Sequence, residues 1–214
     1  MIEVRKIGCK IDSRWLWRDL SFNLNSGTRL GLIGATGTGK SLLLRTIAGL
    51  DPLLQGEIKY RDQNLSSWNL PLYRSQVMYL HQQAIMFEGT VEANLKGVYQ
   101  LAAHHHRHYD RNYTFTLLEM FERSPNFLQQ SATNLSGGER QIMALIRGLQ
   151  LNPIVLLLDE CTASLDPDTT KQVELAIATW LQQDSQRACI WTSHDDNQIK
   201  RVTNAQLLLS DYIG

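Results

Sequence analysis

The sequence predicts an α/β protein with a mostly parallel sheet, an antiparallel β edge and an inserted α-helical lobe. Three observations predict it. Apolar β-type runs alternate with helical repeats over both ends of the chain, one such run stops on the glycine-rich stretch "GATGTGKS" (34–41) before a helix, and from about Val91 the texture changes to helix-like pieces separated by polar stretches. The 214 residues are enough for one well-buried domain with a smaller lobe inside it. The expected organisation is a single domain over 1–214, with its core at about 1–90 and 144–214 and its lobe at about 91–143.

Taken in order, "IEVRKIGCKI" and "LSFNL" alternate as strands, and "NSG" turns into "TRLGLIG", an apolar run that stops at Gly34. "KSLLLRTIAGL" has helical spacing and closes at Gly49, with Pro52 just beyond. "GEIKY" and "QVMYL" read as further strands, the second ending at His81 and Gln82. After the lobe, "ERQIMALIRGLQL" is helical until Asn152-Pro153, "IVLLLDE" is a buried strand and "PDTTKQVELAIATWLQQ" an amphipathic helix. "ACIWTSHD", "NQIKRV" and "AQLLLS" close the chain as strand, short helix and strand.

Lysine plus arginine and aspartate plus glutamate both number 21, so no net field draws the chain to nucleic acid or to anionic lipid. The N-terminal "MIEVRKIGCK" lacks the apolar core of a signal peptide or anchor, and the run Ile154 to Leu158 is far short of the ~20 residues a membrane helix needs. No direct membrane insertion is expected. Cys9, Cys161 and Cys189 show no metal-type spacing and suit a reducing, cytoplasmic setting.

The stretch 34–41 matches G-x-x-x-x-G-K-[ST] in the context its chemistry needs, which predicts a P-loop NTPase core. Gly34, Ala35, Thr36, Gly37, Thr38 and Gly39 let the backbone wrap a polyphosphate, Lys40 reaches its terminal phosphates and Ser41 is a Mg²⁺ ligand. In parallel sheets ligands sit beyond the carboxyl ends of the strands. Gly34, Gln82, the pair Asp159–Glu160 and His194 each follow a predicted strand, so all four signals fall on one rim. Asp159 is placed to hold Mg²⁺, usually through water, and Glu160 to polarise the attacking water. Gln82 could reach both metal and water, and His194 could contact a terminal phosphate or hold the water in line.

A second glycine-rich helix start lies in "LSGGERQ" (135–141). The capping box S-x-x-E explains Ser136 and Glu139. It does not explain Gly137 and Gly138, which cost stability unless something approaches the backbone closely. A helix start with free N–H groups is an anion site. Because the first loop already holds its own chain's triphosphate, the second is expected to serve the nucleotide of another chain.

The phosphate loop, Gln82, "LSGGERQ", "IVLLLDE", "SLD" at 164–166 and His194 occur in the order, and at about the spacing, of ATP-binding cassette (ABC) ATPases. The chain resembles that family over nearly its whole length. The resemblance implies ATP and Mg²⁺ as ligands, hydrolysis, and a head-to-tail homodimer in the ATP state. Ser136 and Gly138 would touch the γ-phosphate held by the other copy, and Ser164, Leu165 and Asp166 would cross the seam. Gln82 would sense γ-phosphate and relay to a separate transmembrane permease, whose helix enters the groove beside "AIMFEGTVEANL" (84–95). The implied location is cytoplasmic, peripheral on the inner face of the membrane. "FEGTVEANL", "ALIRGLQLNP" and "LLLDECTASLD" look most like a small bacterial subgroup associated with iron or other metal export.

The alternative is a soluble ABC ATPase in nucleic-acid maintenance, translation or assembly. The chain has no long coiled-coil insert, second cassette or basic patch to support it, and no nucleic-acid partner is expected. A P-loop kinase has no use for "LSGGERQ". Where relatives stack an aromatic on adenine the matching stretch is "CKIDS", with Cys9 nearest and Trp15 or Trp17 as substitutes. In "HHHRH" (104–108) only His104 and His108 share a helix face, so the run reads as solvated lobe surface and not as a metal site.

Overall fold

The computed structural model describes residues 1–212. β1 (Ile2–Ile11) and β2 (Arg14–Leu24) form an antiparallel hairpin closed at Asp12, whose φ of 53° suits a tight turn. β1 matches the expected strand, whereas β2 begins six residues before the "LSFNL" (20–24) expected from sequence. β1 shifts register between Val4 and Ile7, with Lys6 at φ 47°. This irregularity turns Ile2, Val4 and Ile7 all inward.

β3 (Arg29–Ile33) leads through the phosphate loop into α1 (Lys40–Ile47). β4 (Gln55–Tyr60) and β5 (Gln63–Asn64) join the hairpin in an antiparallel sheet of order β2-β1-β4-β5. α2 (Leu70–Arg74) starts on Asn69, whose side chain accepts from Leu72 N–H, and precedes β6 (Val77–Leu80). The lobe carries α3 (Val91–Gly97), α4 (Arg111–Glu119) and short 3₁₀ turns. α5 (Gly137–Leu149), β7 (Val155–Asp159), α6 (Pro167–Gln182), β8 (Ala188–Thr192), α7 (Asp196–Val202) and β9 (Ala205–Leu208) follow. The second sheet is wholly parallel, in the order β6-β7-β8-β3-β9.

β7 and β8 are buried at every position, as strands covered on both faces must be. Their side chains alternate between two cores. Leu156, Leu158, Cys189 and Trp191 pack with α5, α6 and the lobe residues Phe121 and Phe127, while Val155, Leu157, Ala188 and Ile190 pack with α1 and the antiparallel sheet. Each such large side chain contributes about 1.5–3 kcal/mol of burial. α5 runs unbroken through residues 143–144, and it touches α3 and α4 on the lobe side and β6 and α6 on the sheet side. One helix therefore belongs to both packing units.

Candidate functional site

The loop between β3 and α1 is built for an anion. Gly37 and Gly39 stand at φ 80° and 92°, the left-handed region that favours glycine. A Cβ on Gly39 would lie 2.8 Å from Trp17 Nε1 and 3.1 Å from Leu16 Cδ1, so β2 packs directly under the loop. Thr38 closes the turn by donating from Oγ1 to the Ala35 carbonyl (2.8 Å). The Lys40 side chain is buried, and Nζ donates to the carbonyls of Gly34 (2.7 Å) and Ala35 (3.1 Å). α1 begins with no capping side chain and no acid in its first turn. Its first N–H groups are thus left to an external acceptor. Thr36 and Ser41 are exposed beside them.

Asp159 ends β7 almost fully buried, at 3% exposure. The Tyr79 hydroxyl donates to its Oδ2 (2.7 Å), and Thr192 Oγ1 lies 3.2 Å from its Oδ1. Glu160 adopts φ 49°, a strained value for a non-glycine residue, and its N–H donates to Thr192 Oγ1 (2.9 Å). Its Oε1 meets His194 Nε2 at 2.8 Å. The structure therefore joins Glu160 to His194 directly. Gln82 stands exposed past the end of β6 and, among the described residues, its side chain makes no hydrogen bond. One buried carboxylate at the end of β7, on the rim that also carries the hydroxyl of Ser41, suits Mg²⁺, which takes one or two carboxylates and leaves its other positions to phosphate and water. Among the described residues no group of three or more His, Cys, Asp or Glu forms an all-protein metal cage.

The second glycine-rich start is shaped differently. Ser136 caps α5 by accepting from Glu139 N–H (3.3 Å), and Glu139 Oε2 accepts from Ser136 N–H (3.0 Å) and Oγ (2.9 Å). These bonds hold the Glu139 carboxyl below its ordinary value. A Cβ on Gly137 would meet nothing within 4 Å, and on Gly138 only Leu165 Cδ2 at 3.4 Å. Neither glycine has positive φ. Nothing among the described residues therefore requires glycine at position 137. Asp166 caps α6, accepting from the N–H groups of Asp168 (3.1 Å) and Thr169 (3.0 Å) and from Thr169 Oγ1 (2.6 Å). Ser164 and Leu165 lead into that cap.

Two expectations meet corrections here. Trp17 is fully buried beneath Gly39, so its ring has no free face for a base, while Trp15 is flanked by Arg18 (5.0 Å) and Lys10 (5.8 Å). His104 is buried instead of solvated, because the run 102–104 is a 3₁₀ turn that folds against the core. Burial and the neighbouring Arg107 push its imidazole below its ordinary value. A cleft of ≈ 300 Å³ between lobe and sheet is lined by Ile85, Leu101, His104 and Arg147, among others, and no acid lines it. Ile85, Phe87 and Leu101 expose 69%, 63% and 56% of their surface. Arg147 holds the loop there by donating to the Ile85 carbonyl (3.0 Å) and lying over the Phe87 ring.

Sequence reasoning missed Tyr79, Thr192 and the role of Trp17. Tyr79 and Thr192 act through the neighbouring strand β7 and Trp17 through the packing of β2 under the phosphate loop, so only the strand register and the packing of the two sheets could have disclosed them. Among the described residues no helix is long and apolar enough to cross a membrane.

A family model described as ABC transporter matches residues 17–163. The "Probable iron export ATP-binding protein FetA" of Escherichia coli is 31% identical over 202 residues, covering 94% of this chain and 88% of the relative. The methionine import ATP-binding protein MetN of Clostridium tetani is 28% identical, covering 98% and 66%. Among solved structures, a dimeric ATP-binding cassette in a post-hydrolysis state bound to ADP and Pi superposes with a TM-score of 0.82 at 21% identity, covering 97% of this chain and 94% of that one.

Proposed function

This chain belongs to the ABC transporter family, and we propose that two copies of it close head to tail on ATP to drive a separate transmembrane subunit. It is an ATP-binding, ATP-hydrolysing transport subunit. The observation that carries the finer reading is the Glu160–His194 pair, 2.8 Å apart, on the rim that also bears the phosphate loop.

In this reading Lys40 and the first N–H groups of α1 hold the terminal phosphates. Ser41 and Asp159 are the protein groups that would hold Mg²⁺, which when bound neutralises charge on the phosphate oxygens. Glu160 takes the proton of the attacking water, and His194 orients it by donating from Nε2. Gln82, exposed on the same rim, faces whatever closes over it. The lobe at about 91–143 carries Ser136, Gly137 and Gly138 to the phosphates held by the other copy. Ser164, Leu165 and Asp166 lie at that seam, a reading supported by the nearness of Leu165 to Gly138, where an added Cβ would lie 3.4 Å from Leu165 Cδ2. The cleft beside Ile85, Phe87 and Leu101 receives a helix of the permease, which keeps the chain peripheral on the cytoplasmic face of the membrane. The chain is similar both to an ATP-binding protein named for export and to one named for import. The metal-export reading rests on FetA and on the "FEGTVEANL" stretch.

The test is Glu160→Gln. It should bind ATP, lose hydrolysis by ~10²-fold or more, and run as a dimer on size exclusion only with ATP present. A single copy at saturating Mg·ATP would overturn the reading. Purification from membranes should recover a multi-span protein; ribosomes or DNA alone would favour the soluble alternative.

A further inference from the structure

β6, β7 and β8 lie side by side, with Tyr79 opposite Leu157 and Asp159 opposite Thr192. Side chains two apart on a strand share a face, so Tyr79, Leu157 and Asp159 all project to the same side of the sheet. The phenol therefore reaches along β7 to the carboxylate at its end. The 2.7 Å bond to Oδ2 has the length of a charge-assisted hydrogen bond. Asp159 Oδ2 is the phenol's only hydrogen-bond partner among the described residues. The phenol ring is fixed as well, packed against the core that includes Leu157 and edge-on to His81 at 5.8 Å.

We infer that Tyr79 is the positioning residue of Asp159: with Thr192 on the opposite strand it clamps the carboxylate and fixes which oxygen lone pairs are offered to a divalent cation. Without the phenol only Thr192 Oγ1 still holds the carboxylate side chain, and Oδ2 is free to turn about the Cβ–Cγ bond. Donors behind a metal-facing carboxylate typically change metal affinity or activity by about 10–100-fold. The inference rests on the reading of Asp159 as the acid that faces the metal.

The experiment measures, for the full chain, the ratio of the dissociation constants of fluorescent N-methylanthraniloyl-ADP in EDTA and in Mn²⁺. Tyr79→Phe should leave the EDTA value unchanged and shrink the ratio by about 10-fold. Tyr79→Met, which removes the donor with a different shape, should do the same, and melting curves check that each variant folds. A ratio unchanged in either folded variant overturns the inference, as does equal weakening with and without metal, which marks the tyrosine as mere packing. Asp159→Asn separates the two claims. If it lowers the ratio and Tyr79→Phe does not, only the tyrosine inference fails; if it leaves the ratio unchanged, the reading of Asp159 itself is wrong.

Discussion

Gly39 shows how much of the site depends on one missing side chain. At φ 92° any other residue is strained by about 1–2 kcal/mol, and here a methyl would also lie 2.8 Å from a buried indole. Gly39→Ala should lower the melting temperature and abolish ATP binding, because the loop can relax only by moving the first N–H groups of α1. Calorimetry with ATP and thermal melting check both halves, and a variant that melts as wild type and binds ATP would show that Trp17 yields. The glycine, the lysine and the acids were legible in the sequence because their spacing along the chain is their signal. Tyr79 and Thr192 were not, since their partner Asp159 lies on another strand and becomes a neighbour only through the register, and the burial of Trp17 was not, since it depends on β2 packing under the phosphate loop.

Among the elements, α5 separates what a helix needs from what its chemistry needs. The capping box accounts for its first turn, and its contribution depends on pH. The Glu139 carboxyl is depressed in the folded state by the Ser136 N–H and hydroxyl, so the stability it adds is present above its unfolded value near 4.5 and is lost as pH falls through the lower folded value. Melting temperatures should converge between wild type and Glu139→Gln as pH drops below that window, and differ near neutrality. Gly137 behaves differently. A methyl there meets nothing within 4 Å among the described residues, so Gly137→Ala should leave stability unchanged or raise it by up to about 1 kcal/mol. ATP turnover should nevertheless fall at least about 10-fold, as it does when bulk is inserted where another backbone must approach. Full turnover in this variant would remove the reason to bring a second copy to this helix. The start of α5 was readable from Ser136 and Glu139, whereas β5 and α2 were not, being too short for periodicity and set by local caps such as that of Asn69 on Leu72.

At the scale of the whole molecule the two glycine-rich starts face different surroundings. The first packs on Leu16, Trp17 and the core of β3, the second on Leu165 and the lobe, and no hydrogen bond joins them among the described residues. The strand rim was legible because four chemical signals each ended an apolar run. The separation of the two starts was not, since it depends on how α5 leaves the lobe. If each pocket is completed by the other copy, a chain with a broken phosphate loop and a chain with a broken signature fail alone for complementary reasons. Lys40→Ala homodimers have two dead loops, and Gly137→Trp homodimers two dead signatures. In a mixed dimer both lesions fall in one pocket, and the other pocket is intact. Mixing equal amounts of the two inactive proteins should therefore restore ATPase activity, to about a quarter of the wild-type value if subunits pair at random and each pocket works independently. A steady-state phosphate-release assay reads it. Were each copy to build its pocket alone, no mixing ratio would recover turnover, so silence from two folded preparations, of which Gly137→Trp still binds ATP, would count against the head-to-tail arrangement itself.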